Sequence, residues 1–485
     1  MFERKPPAGR LPPVSFPAGF SWGVSTASYQ IEGAANEDGR GRSIWDTFSH
    51  EPGRVSNGDT GDIACDHYHR LDEDLDLLAD LGVQVYRFSI AWPRVQPGGR
   101  GQANQAGIAF YNRLIDGCIA RRIKPVPTLY HWDLPQALQD NGGWTNREII
   151  DAFADYAAIL FDAFGDCVQV WTTLNEPWCS AYLGHRIGVH APGIADEHAA
   201  AAAHHHLLLS HAAAVEQLRT RQPGAKIGIA LNLMHIYPAS DHPDDVAAAA
   251  IADAQLNGSF LSPLFAGHYP ANLGAPGALW RPGGGLVRHG DLERIAKGCD
   301  FLSINSYHPR WICAPERLAA IRAQGFEGGP SSPLAFGLPI VDVTPCTVTK
   351  TAMGWPVYAA GLHDLLVRLS SDYPGLPLYI SENGFAAADY LDQDGASRDP
   401  ERVTYLDAHI RAAHAAIAAG VDLRGYWAWS LMDNFEWSFG YSIRFGLVYV
   451  HYPTGERTPK SSFRWFKDVI AFNGIPAAAD RQGVA

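Results

Sequence analysis

The stretch His69–Trp92, HRLDEDLDLLADLGVQVYRFSIAW, contains one complete passage from helix to strand. Leu71, Leu75, Leu78 and Leu81 recur at helical spacing, and Gly82 stands where such a helix would end. The acids between the leucines read as a solvated face, because a calcium loop would need a glycine turn that they lack. After Gly82 the pattern changes to VQVYRFSIAW, a β-rich run suited to a parallel strand covered on both faces.

The same alternation extends along the chain. Strand-like runs are expected at Phe20–Ser28, Val83–Trp92, Lys124–Trp132, Val168–Glu176, Lys226–Tyr237, Cys299–Tyr307, Leu376–Gly384 and Leu423–Asp433. Helical patterns separate them, one beginning TNREIIDAFADYAAILFDAFG, where Thr145 and Glu148 have the spacing of a capping box. Eight strand–helix alternations favour an α/β fold of the closed (β/α)8 type, a single TIM barrel, over an open doubly wound sheet. No glycine-rich phosphate-binding signature follows the first strand, so a nucleotide cofactor is not expected. The longest irregular stretch runs from about Trp311 to Trp355 and is rich in Gly and Pro. On a barrel it would be one of the long loops at the C-terminal face of the strands.

Composition narrows the function classes. A length of 485 residues would ordinarily suggest two to four domains, but α/β barrels routinely exceed that prior as one unit. One barrel domain is therefore expected over residues 16–475, with an N-terminal extension over 1–15 and a tail over 476–485. A net charge of −13 without basic blocks argues against a nucleic-acid partner. No run of about 18 apolar residues is present, so no membrane span is expected. The first residues, MFERKPPAGRLPPVSF, lack the apolar core of a secretory signal. Seven cysteines without a CxxC pair read as mostly buried thiols in a reducing compartment, which points to the cytoplasm.

On a barrel the C-terminal ends of the strands carry the chemistry. Here those ends present Gln30, Arg87, His131, Asn175 with Glu176, Asn305 with Tyr307, Glu382 with Asn383, and Trp429, followed by Glu436 and Trp437. So many amides, carboxylates and aromatics ending apolar runs are expected to converge on one polar pocket. Glu176, ending the fourth strand, and Glu382, ending the seventh, would face each other across the barrel mouth. Paired carboxyls suit glycosidic cleavage, in which one protonates the leaving oxygen and the other attacks or activates water. Arg87 and Tyr307 are placed to keep Glu382 ionised, while Glu176 keeps a raised pKa beside Asn175. Gln30, His131, Asn175 and Glu436 would grip hydroxyls, with Trp429 and Trp437 under the apolar face of a sugar ring.

A metal site would want more carboxylates or histidines at the strand ends than His131 alone, so no metal and no cofactor is expected. The run His204–His206, with His211 beyond it, lies in an alanine-rich helix. Successive helical residues point about 100° apart, so the three cannot share a ligand face and read as structural, with one of them contacting the barrel.

With those residues in view, the chain resembles glycoside hydrolase family 1, the β-glucosidase family, over nearly its whole length. FSWGVSTASYQIEGA (Phe20–Ala34), TLYHWDLPQAL, WTTLNEPW, GVHAPG, YISENGF and WSLMDNFEW are similar to successive blocks of that family, in order. The resemblance implies retaining hydrolysis of β-glycosides, with Glu176 as acid/base and Glu382 as nucleophile. It also implies Gln30, His131, Asn175, Tyr307, Trp429, Glu436 and Trp437 around the substrate, Arg87 and Asn305 in support, and Trp355 and Phe445 on the aglycone side. Members acting on 6-phosphorylated sugars have a serine and a lysine where this chain has Glu436, so unphosphorylated substrates are implied. Departures are Ser381 where threonine is common, Ser306 where an aromatic residue is frequent, Ser259 for tryptophan, and Pro356 where an acid commonly follows Met-Gly-Trp.

The expected activity is a retaining β-glucosidase acting on a small-molecule β-glycoside or oligosaccharide. β-Galactosidase, β-fucosidase and transglycosidase are family alternatives, and a non-catalytic sugar-binding protein is a remote one. A retaining mechanism requires a carboxyl separation of ~5–5.5 Å. Assembly into a homo-oligomer is left open.

Overall fold

A computed structural model describes residues 11–273, 279–280, 284–329 and 338–477. Residues 1–10 of the expected extension, 478–485 of the expected tail and 330–337 of the Gly- and Pro-rich stretch lie outside the described residues.

All eight expected strands form and close into one barrel: β1 (Ser21–Ser25), β2 (Val85–Ser89), β3 (Lys124–Tyr130), β4 (Val170–Asn175), β5 (Lys226–Asn232), β6 (Phe301–Asn305), β7 (Leu378–Asn383) and β8 (Leu423–Trp429). Each pairs in parallel with its sequence neighbours, and β8 pairs with β1. Their near-continuous burial explains the near-continuous apolar runs, since helices cover the outer face and side chains fill the inner one. The fifth expected strand divides: after Asn232 the chain leaves the barrel and Ile236–Pro238 joins another sheet.

Helix α1 (Leu71–Leu81) buries Leu71, Leu75, Leu78 and Leu81 and ends on Gly82 at φ 78°. That left-handed cap lets the Gly82 amide reach the Leu78 and Ala79 carbonyls at no side-chain cost. The solvated face is correct for Asp72, Glu73 and Asp76 but not for Asp74. Its carboxylate is fully buried, hydrogen-bonded to His67 (2.7 Å) and to the Arg457 guanidinium (2.9 Å). The expected capping box at Thr145 does not form. Helix α2 starts only at Ile149 and runs to Phe164, because the Thr145 hydroxyl donates to the Gly142 carbonyl and Asn146 accepts from the Glu148 amide.

Among its described residues, the Trp311–Trp355 stretch contains regular strands. Arg310–Cys313, Phe326–Gly329 and Val341–Pro345 form a four-stranded sheet with Ile236–Pro238, packed over its own small core of Trp311, Cys313, Phe326 and Val343. Glycine and proline masked the alternation of Val341 and Val343. At the chain ends Val14–Ser15 pairs antiparallel with Gly474–Ile475, near both expected domain boundaries. Among the described residues no helix is long and apolar enough to cross a membrane. All seven cysteines are free, four of them buried.

Helix α3 (Glu197–Arg221) buries all three consecutive histidines, each with its own partner: His204 at the Ser259 carbonyl, His205 at Asp291 and Tyr269, and His206 at the Trp144 carbonyl. The contact with a barrel strand is made by His211, through the Thr173 hydroxyl of β4 (2.7 Å).

Candidate active site

At the C-terminal ends of the strands lies a cavity of about 470 Å³ lined by His131, Asn175, Glu176, Asn305, Tyr307, Trp355, Glu382, Trp429, Glu436, Trp437 and Phe445, all anticipated from sequence. Sheet irregularities sit where the two carboxyls project. The register of β4 on β5 shifts between Thr172 and Asn175, and that of β7 on β6 between Ile380 and Glu382. Such shifts re-aim a side chain at a barrel rim. β4 ends at Asn175, and Glu176 follows with φ 44°, as Trp132 (78°) and Trp437 (48°) do elsewhere in the wall. Left-handed backbone costs a residue with a Cβ about 1–3 kcal/mol and is held only by its surroundings. Here the Glu176 amide is tied to the Ala230 carbonyl (2.8 Å). The glycine after Glu382–Asn383 has a steric cause: a Cβ on Gly384 would lie 1.9 Å from the Trp429 carbonyl oxygen.

One hydrogen-bond chain joins the carboxyls. Arg87 donates through Nη1 to Glu382 Oε1 (2.6 Å) and through Nη2 to Asn175 Oδ1 (2.6 Å). Asn305 Nδ2 donates to that same Asn175 oxygen (2.9 Å) and to Glu176 Oε1 (2.7 Å). Ser381, one of the departures, fixes the Asn305 amide by donating to its Oδ1 (2.7 Å). Tyr307 donates to Glu382 Oε2 (2.7 Å), and the Cys179 thiol to Glu176 Oε2 (3.1 Å). Arg87 lies within β2, below the cavity, and is fully buried.

The two carboxyls therefore differ. Burial pushes Glu176 up to about 7, reinforced by the charge of Glu382. Burial also raises Glu382, but the Arg87 guanidinium and the Tyr307 hydroxyl oppose it. With the cation in contact with Glu382 alone, the negative charge settles there and the proton on Glu176. The raised pKa of Glu176 does not come from Asn175, as the sequence reading had it, because the Asn175 amide is spent on Arg87, Asn305 and His131.

The same bookkeeping fixes a tautomer. With Asn175 Oδ1 accepting two hydrogen bonds, its Nδ2 faces His131 Nε2 (2.9 Å), so Nε2 is the bare nitrogen and Nδ1 carries the hydrogen. Burial and the Arg87 charge keep this imidazole neutral, its pKa well below the ordinary range. Gln30 sits not at the β1 end but in the helical turn Ser28–Ile31, its Nε2 held by Asn434 (2.9 Å) and the Phe435 carbonyl (2.7 Å). Glu436 is raised to about 8, by burial first and then by Glu382 and Glu176. Gln30 Oε1, His131 Nδ1 and Glu436 Oε2 are buried without a protein hydrogen bond. An unmet buried polar atom costs about 1–3 kcal/mol, so His131 and Glu436 in the cavity wall, with Gln30 beside Glu436, form a set of handles for a polyhydroxylated ligand.

Asn383 does not join them. It turns away from the cavity, donating to the Ser306 carbonyl (2.6 Å) and the Tyr405 hydroxyl (3.0 Å). Sequence reasoning missed Trp132, Trp178, Cys179, His190 and His308, which also line the cavity. Trp132 follows His131 and Trp178 lies two beyond Glu176, so adjacency was the available signal. Seven tryptophans (Trp22, Trp45, Trp92, Trp144, Trp171, Trp427 and Trp465) are fully buried in packing, and five rather than three reach the cavity. Among the described residues no group of three or more His, Cys, Asp or Glu side chains is placed to hold a metal ion.

Comparison with known proteins matches residues 13–475 to the family model "Glycosyl hydrolase family 1". A β-glucosidase A of Acetivibrio thermocellus is 44% identical over 464 residues, 95% of this chain and 99% of that protein. A bifunctional β-D-glucosidase/β-D-fucosidase of Bifidobacterium breve is 44% identical over 94% of this chain and 98% of its own length. The solved structure of a β-glucosidase from Thermotoga maritima in complex with deoxynojirimycin superposes with a TM-score of 0.87 at 44% identity, covering 95% of this chain and all of that one.

Proposed function

This chain belongs to glycosyl hydrolase family 1, and on that premise we propose a retaining β-glucosidase in which Glu176 is the acid/base and Glu382 the nucleophile. The observation that carries the assignment is the asymmetry of the pair: of the two carboxyls Arg87 is hydrogen-bonded to Glu382 and not to Glu176, whose pKa burial pushes up to about 7. In the first step ionised Glu382 attacks the anomeric carbon while Glu176 passes its proton to the glycosidic oxygen. The aglycone leaves and a covalent glycosyl-enzyme forms. In the second, Glu176, now a carboxylate, takes a proton from water, which displaces Glu382 and restores the β-anomer.

The handles at Gln30, His131 and Glu436 would bind the hydroxyls of the non-reducing glucose, with Trp429 and Trp437 against its apolar faces. Trp355 and Phe445, packed with Tyr307, would meet the leaving group. Among the described residues the charges that act most on Glu436 are those of Glu382 and Glu176, so a 6-phosphate would meet carboxyls rather than a positive charge, and unphosphorylated glycosides are the substrates. The name of the B. breve relative favours β-fucosides as a second substrate class. The free cysteines support a cytoplasmic location.

The test is hydrolysis of p-nitrophenyl β-glucoside, with NMR of the first product and azide rescue. Wild type should release β-glucose first. Glu382→Gly should be inactive alone and, with azide, form the α-glucosyl azide. Initial α-glucose, or wild-type activity in Glu382→Gly, would overturn the assignment.

A further inference from the structure

A second cavity, also of about 470 Å³, opens at the opposite end of the barrel from the two glutamates. Ser21, Val85, Lys124, Val170, Phe301 and Leu423 line it, and each is the first residue of its strand, so it occupies the N-terminal mouth. Barrel interiors are ordinarily packed by side chains, and this end ordinarily serves stability alone. Here the rings that could close the mouth lie against its wall instead. A Cβ on Gly228 of β5 would come within 2.5 Å of the Phe301 ring, and one on Gly23 of β1 within 2.7 Å of the Trp427 ring. Each ring takes the room that a missing side chain leaves on the next strand, and the mouth stays open.

The lining differs in kind from that of the catalytic cavity. Phe301 packs edge-on against Tyr379 (centroids 5.4 Å apart) and Tyr379 against Trp427 (5.5 Å), so three rings form one wall. The Trp427 indole already donates to the Ser21 hydroxyl (3.3 Å), which donates to the Arg424 carbonyl (3.2 Å). Among the described residues, no side chain lining this mouth holds a buried polar atom without a partner, whereas His131 and Glu436 do in the catalytic cavity. A second sugar would therefore find few unmet hydrogen-bonding groups here. Charge is distributed unevenly as well. Arg424 is hydrogen-bonded twice to Asp422 (2.9 and 2.8 Å), but among the described residues the Lys124 ammonium has no partner, and burial lowers its pKa from the ordinary value. An aromatic body suits the three rings, and one negative charge suits Lys124. A polyanion would also meet Asp422, and a cation would meet Lys124.

We propose that the N-terminal mouth of the barrel is a second ligand site for an aromatic monocarboxylate, its ring system on Phe301, Tyr379 and Trp427 and its carboxylate on Lys124. A volume of about 470 Å³ accommodates a ligand of one or two fused rings. The site stands independently of what the catalytic cavity hydrolyses.

The probe is 2-naphthoate, titrated calorimetrically into the full-length protein with and without excess glucose. Binding with a Kd below about 1 mM is expected, unchanged by glucose and weakened by salt. Lys124→Gln should weaken 2-naphthoate about tenfold while leaving the uncharged 2-naphthamide within about twofold. Ala18→Trp, on an exposed segment of the lining, should obstruct the cavity and remove binding of both compounds. Neither residue lines the catalytic cavity, so both variants should hydrolyse an aryl glucoside within about twofold of wild type, with thermal denaturation to check the fold. Absence of wild-type binding below about 1 mM, loss of binding in glucose, or equal 2-naphthoate affinity in wild type and Lys124→Gln overturns the site. Should Lys124→Gln fail to fold, equal wild-type affinities for 2-naphthoate and 2-naphthamide overturn it in the same way.

Discussion

Replacing Tyr307 by phenylalanine removes one hydroxyl from the site and little else. The ring stays packed against Trp355 and Phe445, at centroid distances of 5.3 and 5.8 Å, and the Tyr405 hydroxyl still reaches the residue 307 carbonyl (2.7 Å). What is lost is the 2.7 Å hydrogen bond to Glu382 Oε2. A hydrogen bond to a charged group is worth about 1.5–3 kcal/mol, and one pKa unit corresponds to about 1.36 kcal/mol. Losing it should therefore raise the Glu382 pKa by about 1–2 units, since the bond stabilises only the ionised form. The nucleophile must be ionised, so the acidic limb of kcat/KM against pH moves upward by that amount. At a pH well below both acidic limbs the variant should run about 10–100-fold slower than wild type. The assay is the pH dependence of kcat/KM on an aryl β-glucoside, with thermal denaturation to check that the fold is intact. An acidic limb within about 0.3 units of wild type would refute the claim that Tyr307 helps to hold Glu382 ionised.

Other consequences follow from the same contacts. Glu176→Gln should abolish the basic limb expected of the wild type, whose acid/base is pushed up to about 7. It should cost alkyl β-glucosides about 10²–10⁴-fold in kcat/KM while sparing nitrophenyl ones, whose leaving groups need no proton, as a leaving-group series would show. Lys460 is fully buried between Asp389 (2.5 Å) and Asp433 (2.6 Å), so Lys460→Met breaks two buried pairs. Each carboxylate keeps an arginine, so the loss belongs at the lower end of the usual range, about 3 kcal/mol by urea denaturation. Burial alone would raise Asp291, but hydrogen bonds from Arg147, His205 and the Arg288 amide prevail and hold it at about 2. A depressed folded-state value means that its stabilisation is complete above the ordinary carboxylate range and disappears as pH falls through about 2. The urea midpoints of wild type and Asp291→Asn should therefore differ at pH 6 and converge near pH 2.

The barrel was legible because period and length are local. Leu71–Leu75–Leu78–Leu81 followed by Gly82 defines a helix and its end within a dozen residues, and the buried strand beyond it needs only a run of apolar side chains. The catalytic candidates were legible for a related reason: polar residues ending apolar strands have one place to go in a closed sheet. Reading failed where a side chain's partner lies far along the chain. Asp74 looked solvated because Arg457 is 383 positions away. Thr145 is a different case: its hydroxyl turns back to the carbonyl of Gly142, three residues away, a local turn that competes with the cap.

By itself, the sequence determined eight strands, their order and the residues at their ends, since all of these follow from patterns shorter than a strand–helix unit. Only the tertiary structure decided which of those residues face the cavity, which carboxyl carries the charge, and that His131 holds its hydrogen on Nδ1. It also turned Asn383 away and raised a small sheet from a stretch that read as loop. Those outcomes depend on burial and on the placing of Arg87, Asn175 and Asn305 within hydrogen-bond reach across three strands. Distances of that kind exist only once the sheet has closed.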